Sequence, residues 1–174
     1  LNHASIAQAI AAAVPDNAIL VDESITTGRG FFPLTAGAAP HDWIQNLGGS
    51  IGYSTPVATG AAVACPDRKV ICMVGDGSAM YSIQALWTAA QRKLPLTVVV
   101  LNNSGYGAMR SFSQVMQVRN VPGLELPGID FVRLAEGMGC DAMRVTKSAE
   151  LASAYQRGLS HQGTSLIEVM VDSA

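Results

Sequence analysis

Short apolar runs alternate with helical segments along almost the whole chain, and this alternation limits the fold more than any other feature. The strand-like runs are residues 18–21, 69–74, 96–101, 141–146 and 164–171, and the helical segments are residues 5–14, 56–65, 78–92, 130–136 and 148–161. Strands joined through helices run parallel, and a parallel sheet needs helices on both faces. The pattern predicts one α/β domain over residues 1–174, with three layers and a mostly parallel sheet between two layers of helices.

Several local expectations accompany this pattern. Asp130 and Ser148 each stand before a helical segment, as side chains that cap helices do. Trp87 has the spacing of a core residue, whereas Trp43 lies in an aperiodic stretch and is a candidate for a subunit contact. Residues 22–28 are predicted to form a polar loop. Residues 33–50, which are rich in Gly, Pro and Ala without a clear period, are predicted to be irregular, and so are residues 104–128, which contain the turns Pro122-Gly123 and Pro127-Gly128.

The composition restricts the partners. Only 14% of the residues are charged, against roughly 25% in an average soluble domain. We therefore expect part of the surface to be buried against other protein. Because the net charge is -2 and no basic run exists, a nucleic-acid partner is not expected. The longest apolar stretch, residues 94–101, is too short to cross a membrane.

The cysteines indicate the compartment of the protein, and the first residue indicates how the chain relates to a longer one. Cys65, Cys72 and Cys140 form no closely spaced pair, which indicates free thiols in a reducing compartment and predicts a cytoplasmic protein. The chain starts with Leu1 rather than Met, so we expect a piece of a longer protein.

The candidate chemistry lies where two neighbouring strands end. Residues 75–78 read Gly-Asp-Gly-Ser after one strand, and residues 102–107 read Asn-Asn-Ser-Gly-Tyr-Gly after the next. Glycines allow backbone N–H groups to approach an anion, and a helix starting near Ser78 would point its positive end at the same place. Asp76 and Asn103 add hard oxygen ligands. Together these features favour Mg²⁺ shared between protein and phosphate oxygens, with Ca²⁺ as an alternative.

Taken together, the two motifs resemble the diphosphate-binding signature of thiamine diphosphate enzymes. Asn103 follows Asp76 by 27 positions, across a helix and a strand. The wider text GDGSAMYSIQALWTAAQ, NNSGYGAMRSF and NVPGLELPGIDF resembles the C-terminal domain of benzoylformate decarboxylases. The resemblance extends from about residue 17 to residue 171. It implies the thiamine diphosphate-binding fold. Because the family's enzymes have three domains and the resemblance covers only the last, it also implies either a fragment of such an enzyme or a separate subunit of a split one.

The resemblance also implies roles for individual positions. Asp76, Asn103 and the Gly105 carbonyl match the metal ligands. The Gly49 carbonyl matches the acceptor of the cofactor's pyrimidine amino group, and Ile51 matches the apolar residue beneath the cofactor's bend; these two orient the cofactor for catalysis. The remaining matches are cofactor contacts at Ser24, Thr26, Gly75, Gly77, Ser78 and Tyr106, and substrate-pocket positions at Met109 and Phe112. Ser111 replaces an aromatic residue of the family motif, which leaves the pocket's shape open.

The implied reaction is non-oxidative decarboxylation of a 2-oxo acid, with an aromatic, benzoylformate-like substrate favoured. The family's active site lies between subunits and needs a glutamate from a pyrimidine-binding domain, and no residue of this chain matches that glutamate. Glu23 is the only acid nearby in sequence, and a structural role suits it better. We therefore expect the isolated chain to be inactive, and a complementary domain from the same or another chain to complete a homo- or hetero-oligomer.

Other functions fit parts of the sequence. An acetolactate synthase-like or other carboligase domain would use the same cofactor, and so would a cofactor-binding module without activity of its own. Residues 48–52 formally match the G-x-S-x-G nucleophile elbow, so Ser50 with Asp141 and His161 defines a remote serine hydrolase alternative. A dinucleotide site is disfavoured because the third glycine of its fingerprint is missing.

Overall fold

Six parallel strands form the centre of the computed structural model, which describes residues 1–28, 30–46 and 48–172. Along the sheet the order is β2-β1-β3-β4-β6-β5, and every neighbouring pair is parallel. The strands are β1 (Ala18–Glu23), β2 (His41–Gln45), β3 (Val70–Gly75), β4 (Leu96–Asn102), β5 (Asp141–Val145) and β6 (Ser165–Met170). The expected parallel sheet is confirmed.

Helices cover both faces of this sheet, so the three layers are confirmed too. They are α1 (His3–Ala11), α2 (Phe31–Leu34), α3 (Ser54–Ala64), α4 (Asp76–Ala79), α5 (Ala85–Gln91), α6 (Gly107–Val115), α7 (Phe131–Gly137) and α8 (Ser148–Ser160), with a 3₁₀ turn at Thr35–Gly37. On one face Ala58 of α3, Leu86 of α5 and Phe131 of α7 are fully buried against the strands. On the other, α1 and α8 bury Ile6 and Tyr155.

The end of β1 differs from the expected polar loop. Asp22 and Glu23 belong to the strand, and the pairing continues through Glu23 opposite Val74. Both carboxylates are buried, at 6% and 4% exposure. Charged side chains are tolerated there because backbone N–H groups supply hydrogen bonds that the sequence pattern does not reveal. The loop prediction for these two residues is therefore wrong.

The helix expected over residues 78–92 is divided into α4 and α5, with turns between them. Helix α4 starts at Asp76 and has only four residues, so the positive helix end expected near Ser78 is weak. The placement of Trp87 in the core is also wrong, because its side chain is 53% exposed. Leu86, the preceding residue on α5, takes the buried position instead.

Helix α6, strand β2 and the start of helix α8 also differ from the sequence prediction. Helix α6 lies within the stretch expected to be irregular and buries none of its residues. Strand β2, which carries Trp43, lies at the edge of the sheet, also within a stretch expected to be irregular. Ser148 is the first residue of α8 and not its cap, whereas Asp130 caps α7 by accepting from the Arg133 N–H at 3.1 Å, as expected.

The three cysteines, Cys65, Cys72 and Cys140, are free thiols, as the sequence predicts. Burial raises the pKa of Cys72 to about 12, which keeps the thiol protonated and unreactive. Over residues 1–28, 30–46 and 48–172, no helix combines the length and the apolar character needed to cross a bilayer.

Chain order reverses between β1 and β3, which are neighbours in the sheet although β2 lies between them in sequence. From β1 the chain moves outward to β2 and then returns past β1 to β3. Ligands of open α/β sheets bind beside such a reversal, at the carboxyl ends of the strands. The topology therefore directs attention to the ends of β1, β3 and β4.

At the opposite end of the sheet, Lys69 offers a test of the packing. Its ammonium donates to the Gly158 and His161 carbonyls at 3.3 and 3.4 Å, and burial lowers its pKa from 10.5 to about 8. Below pH 8 both folded and unfolded chains carry the charge, and the folded chain bears the desolvation cost. Between pH 8 and 10.5 the folded state releases the proton first, so stability rises with pH.

We therefore expect Lys69→Met to be more stable than the wild type at pH 7, with a difference that shrinks towards pH 10. Urea unfolding of both proteins at the two pH values measures this change. The same substitution at the exposed Lys147 is the matched control and should show no pH-dependent difference. A Lys69→Met difference that is constant with pH would contradict the assigned burial.

Candidate functional site

The ends of β1, β3 and β4 enclose a cleft with about 480 Å³ of empty space, part of it open to solvent. Its lining extends in sequence from Glu23 to Met109. The predicted site residues that line it are Ser24, Thr26, Ile51, Gly75, Asp76, Gly77, Ser78, Asn103, Gly105, Tyr106 and Met109. Gly49 lines an adjacent pocket that shares Ile51 with the cleft. Phe112 is absent from the lining of both, and its side chain is 65% exposed on α6.

Asp76 and Asn103 converge on one backbone group. The Gly105 N–H donates to Asp76 Oδ2 at 2.9 Å and to Asn103 Oδ1 at 3.2 Å. Both side chains are more than nine-tenths buried. Two neighbouring strand ends therefore present a carboxylate oxygen and an amide oxygen to the same point. The Gly105 carbonyl, the third predicted ligand, accepts from the Gly107 N–H at 3.1 Å and retains a second lone pair.

Two glycines allow the backbone to pack closely against side chains that line the cleft. A Cβ on Gly77 would lie 2.7 Å from the ring carbons of Tyr106, and a Cβ on Gly107 would lie 2.7 Å from the Thr26 hydroxyl. Real Cβ atoms essentially never approach so closely. The backbone at both positions is therefore packed directly against side chains that line the cleft, and only glycine permits that packing.

The electrostatics of the cleft favour a cation. Its described lining contains the carboxylates of Glu23 and Asp76 but no lysine or arginine. Burial raises the pKa of Asp76, and backbone hydrogen bonds led by that of Gly105 partly oppose the shift. A metal ion beside the carboxylate would supply the missing positive charge and would also allow an anionic group to enter.

The protein alone does not complete a metal site. No cluster of three or more His, Cys, Asp or Glu side chains suited to a metal occurs among the described residues. One carboxylate and one amide oxygen are, however, the set expected for Mg²⁺ that completes its shell with phosphate oxygens and water. The donor set thus fits a metal held jointly with a diphosphate.

Glu23 holds the turn that carries Ile51. Its two carboxylate oxygens accept from the backbone N–H groups of Gly52, at 2.5 Å, and Ser54, at 2.9 Å. Ile51 is 42% exposed and lines both the cleft and the adjacent pocket. Gly52 has φ of +83°, and a Cβ there would meet Tyr81 at 2.4 Å. The structural role expected for Glu23 agrees with these contacts.

Sequence reasoning missed several residues of this region. Ile25, Thr27, Gly107 and Ala108 also line the cleft, and Asp22, Gln45, Asn46 and Tyr53 line the adjacent pocket, together with Ser50, for which the sequence suggested only the hydrolase role. The Tyr53 hydroxyl donates to the Asp22 carbonyl, and burial raises the pKa of Tyr53 to about 12, so this donor stays protonated. Proximity in sequence to the motifs was the available signal for the cleft residues. No such signal pointed to Asp22 or Gln45.

The structure overturns the hydrolase alternative. Ser50 follows β2 at one edge of the sheet, and Asp141 begins β5 at the other edge. Five strand spacings of about 4.8 Å separate these edges by roughly 24 Å. Asp141 instead pairs with Arg157 at 2.9 Å, and His161 directly follows α8 at the opposite end of the strands. A triad cannot form across that distance.

The comparison with known proteins agrees with this geometry. The family described as "Thiamine pyrophosphate enzyme, C-terminal TPP binding domain" matches residues 30–169. The chain therefore belongs to the thiamine pyrophosphate enzymes, as a C-terminal cofactor-binding domain. This match covers β2 to β6 and includes both polar strand ends.

Individual relatives include two kinds of enzyme. The chain is 44% identical over 181 residues to IlvX of Mycobacterium tuberculosis, which is provisionally named an acetolactate synthase large subunit; the match covers 99% of this chain and 35% of that protein. It is 40% identical over 160 residues to benzoylformate decarboxylase of Pseudomonas aeruginosa, covering 92% of this chain and 30% of the relative.

A solved structure is similar over the whole length. The thiamine diphosphate-dependent 4-hydroxybenzoylformate decarboxylase of Rhodococcus jostii RHA1 superimposes with a TM-score of 0.90 at 38% identity, over 100% of this chain and 33% of that one. The chain thus spans about a third of the length of the relatives it matches.

Glu23→Gln tests the support of the Ile51 turn. The amide must present its NH₂ group to one of two backbone N–H donors, so one buried hydrogen bond is lost. We expect a loss of about 1–3 kcal/mol in the free energy of unfolding, measured with urea. Glu136→Gln, on the exposed side of α7, is the control and should change stability by less than about 0.5 kcal/mol. Equal stability of Glu23→Gln and the wild type would contradict this role.

Proposed function

We propose that the chain supplies the diphosphate- and metal-binding side of the active site of a thiamine diphosphate-dependent 2-oxo acid decarboxylase. The observation that carries the proposal is the convergence of the buried Asp76 and Asn103 oxygens on Gly105, in a cleft whose described lining has no basic side chain. A bridging cation would offset the carboxylate charge and allow a diphosphate to bind in such a cleft. Membership of the thiamine pyrophosphate enzymes supports the identity of the cofactor.

The residues of the chain have distinct tasks in this proposal. Asp76, Asn103 and the Gly105 carbonyl hold Mg²⁺, or Ca²⁺ in its place. Ser78 and Tyr106 contact the diphosphate, and Gly75, Gly77, Ser24 and Thr26 complete the cradle. The Gly49 carbonyl receives the pyrimidine amino group, and Ile51 supports the bend of the cofactor. These tasks agree with the positions of the residues around the cleft and the adjacent pocket.

The bound cofactor supplies the electron sink that permits loss of carbon dioxide from a 2-oxo acid. This chain contributes orientation and water exclusion. Ile51 lies on a turn that Glu23 fixes, so an apolar surface meets the cofactor at a defined position. Met109 adds apolar lining on the side of α6, where we place the substrate with Phe112 at its border.

We favour an aromatic, benzoylformate-like substrate. Support comes from 40% identity to a benzoylformate decarboxylase and the TM-score of 0.90 to a 4-hydroxybenzoylformate decarboxylase. A carboligase of the acetolactate synthase kind is the second candidate, because IlvX is 44% identical. Product analysis with pyruvate and with benzoylformate distinguishes these functions. Acetolactate formed from pyruvate, without decarboxylation of benzoylformate, would favour the second candidate.

The length of the relatives indicates that a further domain takes part in the active site. Because this chain spans about a third of their length, we propose that a pyrimidine-binding domain, in the same or another chain, provides the activating glutamate. That domain would then complete the active site within a homo- or hetero-oligomer. A cytoplasmic location remains the prediction made from the free thiols.

Asp76→Ala tests the metal assignment. The substitution removes the only carboxylate of the predicted ligand set, so we expect Mg²⁺-dependent binding of thiamine diphosphate to be lost, measured by calorimetry. Asn103→Ala should weaken binding less, because a neutral ligand contributes less charge stabilisation. Asp67→Ala, at an exposed loop position, is the control and should bind as the wild type does. Unchanged affinity in Asp76→Ala would exclude this metal site.

A substitution series at Ile51 tests cofactor orientation. In the protein that carries this chain, Ile51→Ala should lower kcat much more than it weakens cofactor binding, because orientation contributes to the barrier and the diphosphate contacts remain. Leu or Met should retain most of the activity, since both are bulky and apolar. The measurements are kcat and cofactor Kd for Ala, Val, Leu and Met. A constant kcat across the series would mean that Ile51 only fills space.

A further inference from the structure

A buried carboxylate behind the cleft has no part in the tasks described above. Glu168, in β6, is 1% exposed. Its Oε1 accepts from Asn102 Nδ2 at 2.7 Å, and its Oε2 accepts from Arg144 Nε at 2.7 Å. Arg144 also pairs with Asp130 at 2.8 Å. The sequence motifs did not indicate a role for Glu168 or Arg144.

Asn102 connects this carboxylate to the turn that carries the predicted metal ligands. It is the last residue of β4 and is 5% exposed. Its Oδ1 accepts from the Ser104 N–H at 2.9 Å. Ser104 has φ of +56°, a left-handed conformation that is unfavourable for a residue other than glycine. The next N–H, that of Gly105, is the one shared by Asp76 and Asn103.

The direction of the Asn102 amide is fixed by its neighbour. An asparagine side chain has one accepting end and one donating end, so it can present its oxygen to Ser104 only if its NH₂ group faces Glu168. A carboxylate accepts on both oxygens and therefore satisfies Asn102 and Arg144 at once. No other side chain of the same size can do this.

We propose that Glu168 is a positioning residue for the metal-binding turn and acts through Asn102. It orients the Asn102 amide, which holds Ser104 in its left-handed conformation and so presents Asn103 and Gly105 to the cation. The inference rests on the proposed function, because it assigns a support to the same metal site. It adds a residue that lies outside the cleft and touches neither metal nor cofactor.

Glu168→Gln disturbs this arrangement without changing the volume. The arginine donor attracts the oxygen of the new amide, which leaves the NH₂ group of the introduced glutamine opposite the NH₂ group of Asn102. Asn102 must then rotate its amide and lose the bond to Ser104, or leave two donors in contact. Because one buried hydrogen bond is lost in either case, we expect Mg²⁺-dependent binding of thiamine diphosphate to weaken about tenfold.

A second substitution should restore the pattern. In Asn102→Asp combined with Glu168→Gln, the aspartate accepts from both Ser104 and the glutamine amide, while the glutamine oxygen accepts from Arg144. Every hydrogen bond is then present again with the same number of heavy atoms. Asn102→Asp alone places two buried carboxylates together and should weaken binding as well. We expect the double variant to bind within about threefold of the wild type.

The experiment is calorimetry with thiamine diphosphate and Mg²⁺ on the protein that carries this chain, well below the melting temperature of each variant. Asp130→Asn, which alters the outer partner of Arg144, is the matched control and should leave the affinity unchanged. Should Glu168→Gln not fold, the comparison of Asn102→Asp with the double variant makes the same test. A purely structural role would lower the stability of Glu168→Gln and leave its affinity for thiamine diphosphate unchanged.

The outcomes separate the two proposals. Weak binding by Glu168→Gln with recovery in the double variant supports the positioning role. Wild-type affinity in Glu168→Gln, or a double variant no better than Asn102→Asp, overturns it. Absence of binding by the wild type would overturn the proposed function and the positioning role together. Binding that Asp76→Ala abolishes and Glu168→Gln leaves intact would overturn the positioning role alone.

Discussion

The Gly105 N–H group, shared by Asp76 and Asn103, is the contact on which the arrangement of the cleft depends. It joins the turn after β4 to the end of β3, and it brings a buried carboxylate and an amide oxygen together. The Asp76 carboxylate is desolvated without a cationic side chain in the described lining of the cleft. Such an arrangement is costly for a protein alone and becomes favourable when a metal ion supplies the charge.

The parallel sheet explains why these groups can meet. Strands β3 and β4 are neighbours with Gly75 opposite Leu101, so their polar ends emerge at the same level. Strand β1 adds Glu23, whose carboxylate fixes the turn of Ile51 from the other side. On the far side of β4, Glu168 of β6 accepts from the Asn102 side chain, whose Oδ1 accepts from the Ser104 N–H in the turn after β4. The cleft is thus supported by rigid strands on three sides, as a preorganised site requires.

The sheet and the two polar strand ends could be predicted because their signals are local. Buried strands of a parallel sheet are apolar throughout, and Asp76 and Asn103 directly follow such strands. The tertiary contacts were not predictable. The sequence predicts a loop at Asp22 and Glu23 because both are charged, and the backbone donors that satisfy the buried Glu23 carboxylate, those of Gly52 and Ser54, lie 29 and 31 positions further along the chain. Helix α6 differs from the predicted irregular segment: Met109, Phe112 and Val115 have helical spacing but remain exposed, and the two Pro-Gly turns after the helix favoured an irregular prediction. Trp87 is exposed because Leu86 and Ala89, three positions apart, form the buried side of α5.

Anomalous diffraction from crystals grown with Mn²⁺ in place of Mg²⁺ and with thiamine diphosphate tests the central claim most directly, because it locates the ion itself. The measurement uses the protein that carries this chain. We predict an anomalous peak bonded to the Asp76 carboxylate and the Asn103 amide oxygen, with diphosphate oxygens on its remaining side. A bound cofactor whose metal peak lies away from both residues, or that has no metal peak at all, would contradict the claim.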